Sequence, residues 1–138
     1  MRRTIAFTLA LFVLFALVPA AYAAQHCSAA TVKGDYGFTF SGFSQDANGN
    51  NVPFYGTGVT TNDGEGNSVA TINASLNGNF LTFPWIGTYI VNPDCTGTAT
   101  STNGQANFSI VIVRGGEEYM SVSTNPGLTF TVDFKKVD

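Results

Sequence analysis

From residue 32 onward, apolar and small polar residues alternate with a period of two, and clusters of Asn, Asp, Gly and Pro interrupt the alternation at regular intervals. No stretch after residue 31 carries the 3.6-residue period of a helix. A first strand is expected over 32–43, with Tyr36, Phe38 and Phe40 on one face and Asp35, Gly37, Thr39 and Ser41 on the other. A polar loop, 45–51, is centred on Asn48-Gly49 and leads to a second strand over 53–61. That strand ends at Asn62-Asp63-Gly64-Glu65-Gly66, where Asp-Gly predicts a tight hairpin with positive φ. A third strand spans 67–76, and Asn77-Gly78 is the strongest hairpin signal in the chain. The fourth runs to residue 91 and puts Phe83, Trp85, Gly87 and Tyr89 on one face, with Pro84 marking a bulge or a gap in the ladder. After Asn92-Pro93-Asp94 come a Thr-rich fifth strand over 95–101, the turn at Asn103-Gly104, and a sixth strand over 106–114 with Phe108, Ile110 and Ile112 in phase. Gly115-Gly116 separates it from a seventh strand over 117–124, and Asn125-Pro126-Gly127 leads to an eighth over 128–136, where Leu128, Phe130, Val132 and Phe134 share a face.

Eight strands joined by short turns form a meander, and a twisted sheet of that size hides its edges by closing on itself. The expected fold is therefore all-β, an eight-stranded antiparallel up-and-down barrel. It follows a segment of different character. Arg2-Arg3 precede an apolar run over 5–18 broken only by Thr8, and Ala21-Tyr22-Ala23 is a small-x-small cleavage site, so residues 1–23 read as a secretory signal peptide and 24–138 as a single barrel domain. A helix of about 14 residues reaches only about 21 Å, too short for a bilayer core, so no membrane span is expected in the mature form. The expected location is periplasmic or extracellular.

In an oxidising compartment the two cysteines left after cleavage, Cys27 and Cys95, are expected to form a disulfide. The strand count allows a geometric check. Strands of about eight residues are roughly 27 Å long, whereas bridged Cα atoms lie within about 7 Å, so both cysteines must sit at one end of the barrel. Cys27 precedes the first strand and Cys95 opens the fifth, and odd-numbered strands of a meander all start at the same end. Because the starts of strands one and five lie nearly opposite each other, residues 25–31 are expected to fold over that opening.

The 138 residues carry 6 Lys+Arg and 9 Asp+Glu; removing Arg2 and Arg3 with the signal leaves 4 against 9, a formal charge of −5. Only Lys33, Arg114, Lys135 and Lys136 remain, too few and too scattered to neutralise phosphates, so no nucleic-acid partner is expected. Of 12 Phe and 5 Tyr, 3 Phe and 1 Tyr fall in the signal, so the mature part keeps nine Phe, four Tyr and Trp85. Such a chain folds around a real core.

Catalytic and metal-binding patterns are sparse. The sole histidine, His26, lies near the new N-terminus, so nucleophilic hydrolysis has no well-placed base. The acids stand at turns and strand rims: Asp35, Asp46, Asp63, Glu65, Asp94, Glu117, Glu118 and Asp133. Glu118 shares a face with Met120 and Val122; if that face is the interior, a carboxylate sits in an apolar barrel with a raised pKa, and the preferred expectation is that the strand's entry, with Glu118, still lies outside the barrel. Asp46-x-Asn48-x-Asn50 spaces oxygens like the start of a calcium loop but lacks a distal bidentate Glu, and the same residues suit any hairpin loop. No catalytic residue, no metal site and no cofactor are assigned.

Three stretches carry a resemblance that covers nearly the whole mature chain: Cys27-Ser28-Ala29-Ala30-Thr31-Val32-Lys33-Gly34-Asp35-Tyr36-Gly37-Phe38, Asn62-Asp63-Gly64-Glu65-Gly66-Asn67, and Gly87-Thr88-Tyr89-Ile90-Val91-Asn92-Pro93-Asp94-Cys95-Thr96-Gly97-Thr98. With them the chain resembles small exported bacterial proteins of uncharacterised function, similar in architecture to the allene oxide cyclase-like barrels and, in shape, to lipocalins. The resemblance implies a barrel; it carries no activity, since that enzyme's catalytic positions match no residues here.

The aromatic set is the most suggestive feature. Tyr36, Phe38, Phe40, Phe83, Trp85, Tyr89, Phe108, Phe130 and Phe134 recur on one face of their strands, and an eight-stranded barrel is at the size where side chains either fill the interior or leave room for one small ligand. Gly56, Gly58, Gly87 and Gly97 make space opposite these rings, for packing or for a ligand. Thr96, Thr98 and Thr100 form a stripe on one face, either a contact surface or a wet sheet face. The leading expectation is a non-enzymatic exported barrel binding a small apolar or amphipathic ligand, in the interior or at the mouth away from the disulfide. The alternatives are a structural or cell-surface interaction protein with a filled core, and a cofactor-free isomerase or cyclase that works by positioning.

Overall fold

The alternating segments become eight antiparallel strands in the computed structural model, which describes residues 26–137. They are β1 (Gly34–Gln45), β2 (Asn51–Asn62), β3 (Asn67–Leu76), β4 (Asn79–Val91), β5 (Thr96–Ser101), β6 (Phe108–Val113), β7 (Glu118–Ser123) and β8 (Leu128–Lys136). Each pairs with its sequence neighbour, and β1 pairs with β8 from Tyr36 opposite Lys136 to Ser44 opposite Leu128, which closes the barrel. The signal peptide and its cleavage after Ala23 lie outside the described residues.

Turn chemistry sets the strand ends. Asn77 and Gly78 both take positive φ (49° and 84°), as a two-residue hairpin with the strands' own twist requires. The Asp63-Gly64 junction differs from the tight hairpin expected: it is a longer loop in which Gly64 and Gly66 take positive φ. There Asp63 Oδ1 accepts from the N–H groups of Glu65 and Asn67, and Oδ2 accepts from Asn67 Nδ2. Two expected boundaries also shift. Val32 belongs to a 3-10 turn, Ala29–Val32, so β1 starts at Gly34, and Arg114–Gly116 form a second 3-10 turn between β6 and β7. Pro84 makes no bulge, since the β3–β4 register runs through it without a slip. It lies where β4 has no β5 neighbour, and Asn103 fills that gap by donating from Nδ2 to Pro84 O and accepting from Ile86 N–H.

Cys27 and Cys95 are joined at one end, Cα atoms 4.9 Å apart, as the strand parity requires. The Ala29–Val32 turn lies over that end as a lid. Cys27 N–H donates to Pro93 O, Tyr89 Oη to Ala29 O, and Asn62 Nδ2 to Val32 O. Gly116 sits directly beneath it, where a Cβ would collide with Thr31 O, so the lid seats only on a glycine.

The interior is aromatic. Tyr119 and Phe134 stack with centroids 4.1 Å apart, Tyr36 and Phe38 flank that pair, and Trp85, Phe108, Phe130, Phe40 and Phe54 form a second continuous chain of rings. Gly58, Gly56 and Gly87 lie under the rings of Phe38, Phe40 and Trp85, leaving room for the rings to lie flat against the wall. Gly97 faces the β4 backbone at Ile90 O instead of a ring.

Candidate functional site

Inside the rings the barrel encloses a cavity of about 290 Å³. At the disulfide end the wall includes Val32 of the lid, Asn62 and Tyr119, all buried; at the opposite end it reaches Ser44, Leu76, Leu81, Gln105 and Leu128, which remain partly accessible to solvent. The open mouth is thus the one away from the disulfide. Eight of the nine aromatics picked out on the sequence line the cavity: Phe38, Phe40, Phe83, Trp85, Tyr89, Phe108, Phe130 and Phe134. Tyr36 does not. It is fully buried against Tyr119, and its hydroxyl donates to Gly116 O, so it packs the lid end of the interior without lining the cavity.

The volume is about twice that of a cavity of roughly 150 Å³ that takes up benzene, and it sits at the lower edge of ligand pockets, roughly 300 Å³. The wall is mostly carbon with a few fixed dipoles. Trp85 Nε1 donates to Ala106 O at 2.8 Å, Thr60 Oγ1 lies 3.0 Å from Ser68 Oγ and donates to Val69 O, and Asn62 Nδ2 lies 3.3 Å from Tyr119 Oη. Among the described residues the titratable groups on the wall are Tyr89 and Tyr119. Burial pushes the Tyr119 phenol far up and raises Tyr89, while burial, followed by the negative charge of Glu117, pushes Tyr36 up to about 12. All three are neutral phenols near pH 7 and act there as hydrogen-bonding groups.

The other candidate groups are outside. Glu118 faces outward with Met120 and Val122, both 46 % exposed, and its carboxylate lies 3.4 Å from Arg114 Nη1. The Asp46 carboxylate accepts from the N–H groups of Asn48 and Asn50 and from Asn50 Nδ2, a loop-closing role that mirrors Asp63. Thr96, Thr98 and Thr100 are exposed on the outer face of β5. Among the described residues no three His, Cys, Asp or Glu side chains cluster as metal ligands would, and no helix is long and apolar enough to cross a membrane.

Sequence reasoning missed Phe54 and the polar lining. Phe54 shares a face with Gly56, Gly58 and Thr60, so the glycines already chosen as ring seats point to it by alternation. Thr60, Asn62, Ser68 and Ser121 give no such signal, because inward polar residues imitate an outward face. Comparison with protein-family models, with curated proteins and with solved structures finds no match to the chain.

Proposed function

We propose that this protein is an exported carrier or scavenger that holds one small apolar or amphipathic molecule inside its barrel and does no chemistry on it. The observation that carries the reading is the cavity of about 290 Å³, walled by aromatic rings and reached from the end opposite the lid. Export is supported by the charged and apolar segments of residues 1–23 and by the Cys27–Cys95 bridge, which suits an oxidising compartment. The resemblance to small exported bacterial barrels belongs to the same proposal.

Trp85 is the only tryptophan in the chain and lines the cavity, so its emission reports occupancy. Saturable quenching or blue-shift of Trp85 emission on titration with indane, together with a small molecule retained in native mass spectra of protein purified from its own host, is the expected result. An unaltered Trp85 emission up to the solubility limit of indane, with a bare apo mass, refutes it. One observation favours the interaction reading instead: Val59, Val69 and Ile86, exposed by 51 %, 53 % and 44 %, lie on adjoining rows of β2, β3 and β4. Sedimentation as a dimer that Val69→Ser dissolves would support it.

A further inference from the structure

Every buried side-chain nitrogen and oxygen among the described residues has a hydrogen-bond partner except one, Ser121 Oγ. Ser121 is only 6 % exposed and lies on the cavity wall. Its cross-strand neighbours are Ile110 on β6 and Val132 on β8, both buried and both carbon-only at their side chains, so neither can satisfy it. The contrast with its surroundings is informative, since Thr60, Ser68, Asn62, Trp85 and Tyr89 all lie on the same wall and all are bonded. An unpaired hydroxyl costs free energy in a carbon-lined site and regains it when a partner arrives. Charge sets the second condition. Among the described residues no Lys, Arg, His, Asp or Glu lies on the wall, so a ligand carboxylate or ammonium would be buried with no counter-charge.

We infer that the ligand is a neutral, largely carbon molecule that carries a single hydroxyl or carbonyl oxygen, and that this oxygen hydrogen-bonds Ser121 Oγ partway down the barrel. The inference rests on the carrier reading above and narrows it from any apolar ligand to alcohols, phenols and ketones, excluding carboxylic acids in their ionised form. Ser121 is a positioning contact: it selects the polar group while the rings hold the carbon frame.

The probes are indane, 2-indanol and indane-2-carboxylate, titrated at pH 7 into the wild-type protein and Ser121→Ala, with calorimetry and Trp85 emission as readouts. Ser121→Ala is expected to weaken 2-indanol by about fivefold or more relative to its effect on indane. Indane-2-carboxylate is expected to bind at least about tenfold more weakly than 2-indanol, because its charge has no partner on the wall. Equal factors for indane and 2-indanol in Ser121→Ala, or a carboxylate that binds as well as the alcohol, overturn the inference while leaving the carrier reading intact. Failure of indane and 2-indanol alike to bind the wild type overturns this inference, and together with a bare apo mass from the host it removes the carrier reading as well. Thermal unfolding gives an independent check: Ser121→Ala keeps or raises the melting temperature if the hydroxyl is unpaired in the free protein, and a clear fall means that the hydroxyl is already satisfied, which overturns the inference.

Discussion

Replacing both Cys27 and Cys95 by serine is expected to lower the unfolding free energy by about 4 kcal/mol. The bridge closes a loop with a sequence separation of 68 residues, and the loss of loop-closure entropy in the unfolded chain sets that magnitude. The native structure contributes little to the change, because the lid keeps its other anchors: Cys27 N–H on Pro93 O, Asn62 Nδ2 on Val32 O, and Tyr89 Oη on Ala29 O. For a domain of this size an unfolding entropy of about 2.1 cal/mol/K per residue turns that loss into a drop of about 17 °C in melting temperature. Urea unfolding followed by far-UV circular dichroism measures it directly, comparing the variant with the oxidised wild type. A steeper urea dependence in the variant is also expected, since an uncrosslinked chain exposes more surface. A loss below about 1 kcal/mol with an unchanged slope would refute the reasoning, and would mean that the unfolded chain is already compact around the 27–95 loop.

Gly58→Ala is expected to cost about 1–3 kcal/mol in urea unfolding, since a Cβ there runs into Thr71 O and the Phe38 ring; a neutral result means the wall yields more easily than packed rings should. Asn62→Ala leaves Val32 O buried without its donor and is expected to cost about 1–3 kcal/mol, with faster amide hydrogen exchange in the Ala29–Val32 lid and little change in the mouth strands. Stability should fall at both pH extremes. Asp63 has its carboxyl lowered from 3.8 to about 2, chiefly by Asn67, so its stabilising effect is complete above about pH 4 and is lost as pH falls towards 2. Wild type and Asp63→Asn should therefore converge in melting temperature over that window, and parallel curves argue against it. Tyr36 is raised from 10.0 to about 12, so its contribution is intact below pH 10 and disappears as pH rises to 12; Tyr36→Phe should flatten that alkaline limb.

The strands were legible because the period-two alternation is a local property. The third and eighth appear at 67–76 and 128–136 as expected, and Asn77-Gly78 forms the hairpin that its dipeptide demands. The ends of β1 and β6 were less so. Val32 fits the alternation but is drawn into the lid, where Asn62 holds its carbonyl, and Arg114 adopts a left-handed conformation in a turn that alternation does not foresee. The disulfide was expected from the pair of cysteines, and strand parity, a topological constraint that needs no knowledge of side-chain packing, placed both at one end of the barrel, where they are joined.

Whether the rings fill the barrel was not readable in the chain. Interior space is the difference between a volume set by strand number and stagger and the summed volume of the side chains that point inward, and neither is a local quantity. Tyr36 and Phe38 are two residues apart and look alike in the alternation, yet one packs the interior beneath the lid and the other lines the cavity. Ser121 shows the same limit from the polar side. Between Met120 and Val122 it reads as a residue facing water, and only closure of β7 against β6 and β8 turns its hydroxyl inward among Ile110 and Val132. Local patterning specified the barrel and its bridge; the cavity and its one unpaired hydroxyl exist because eight strands closed at a particular register, which makes neighbours of residues far apart in the chain.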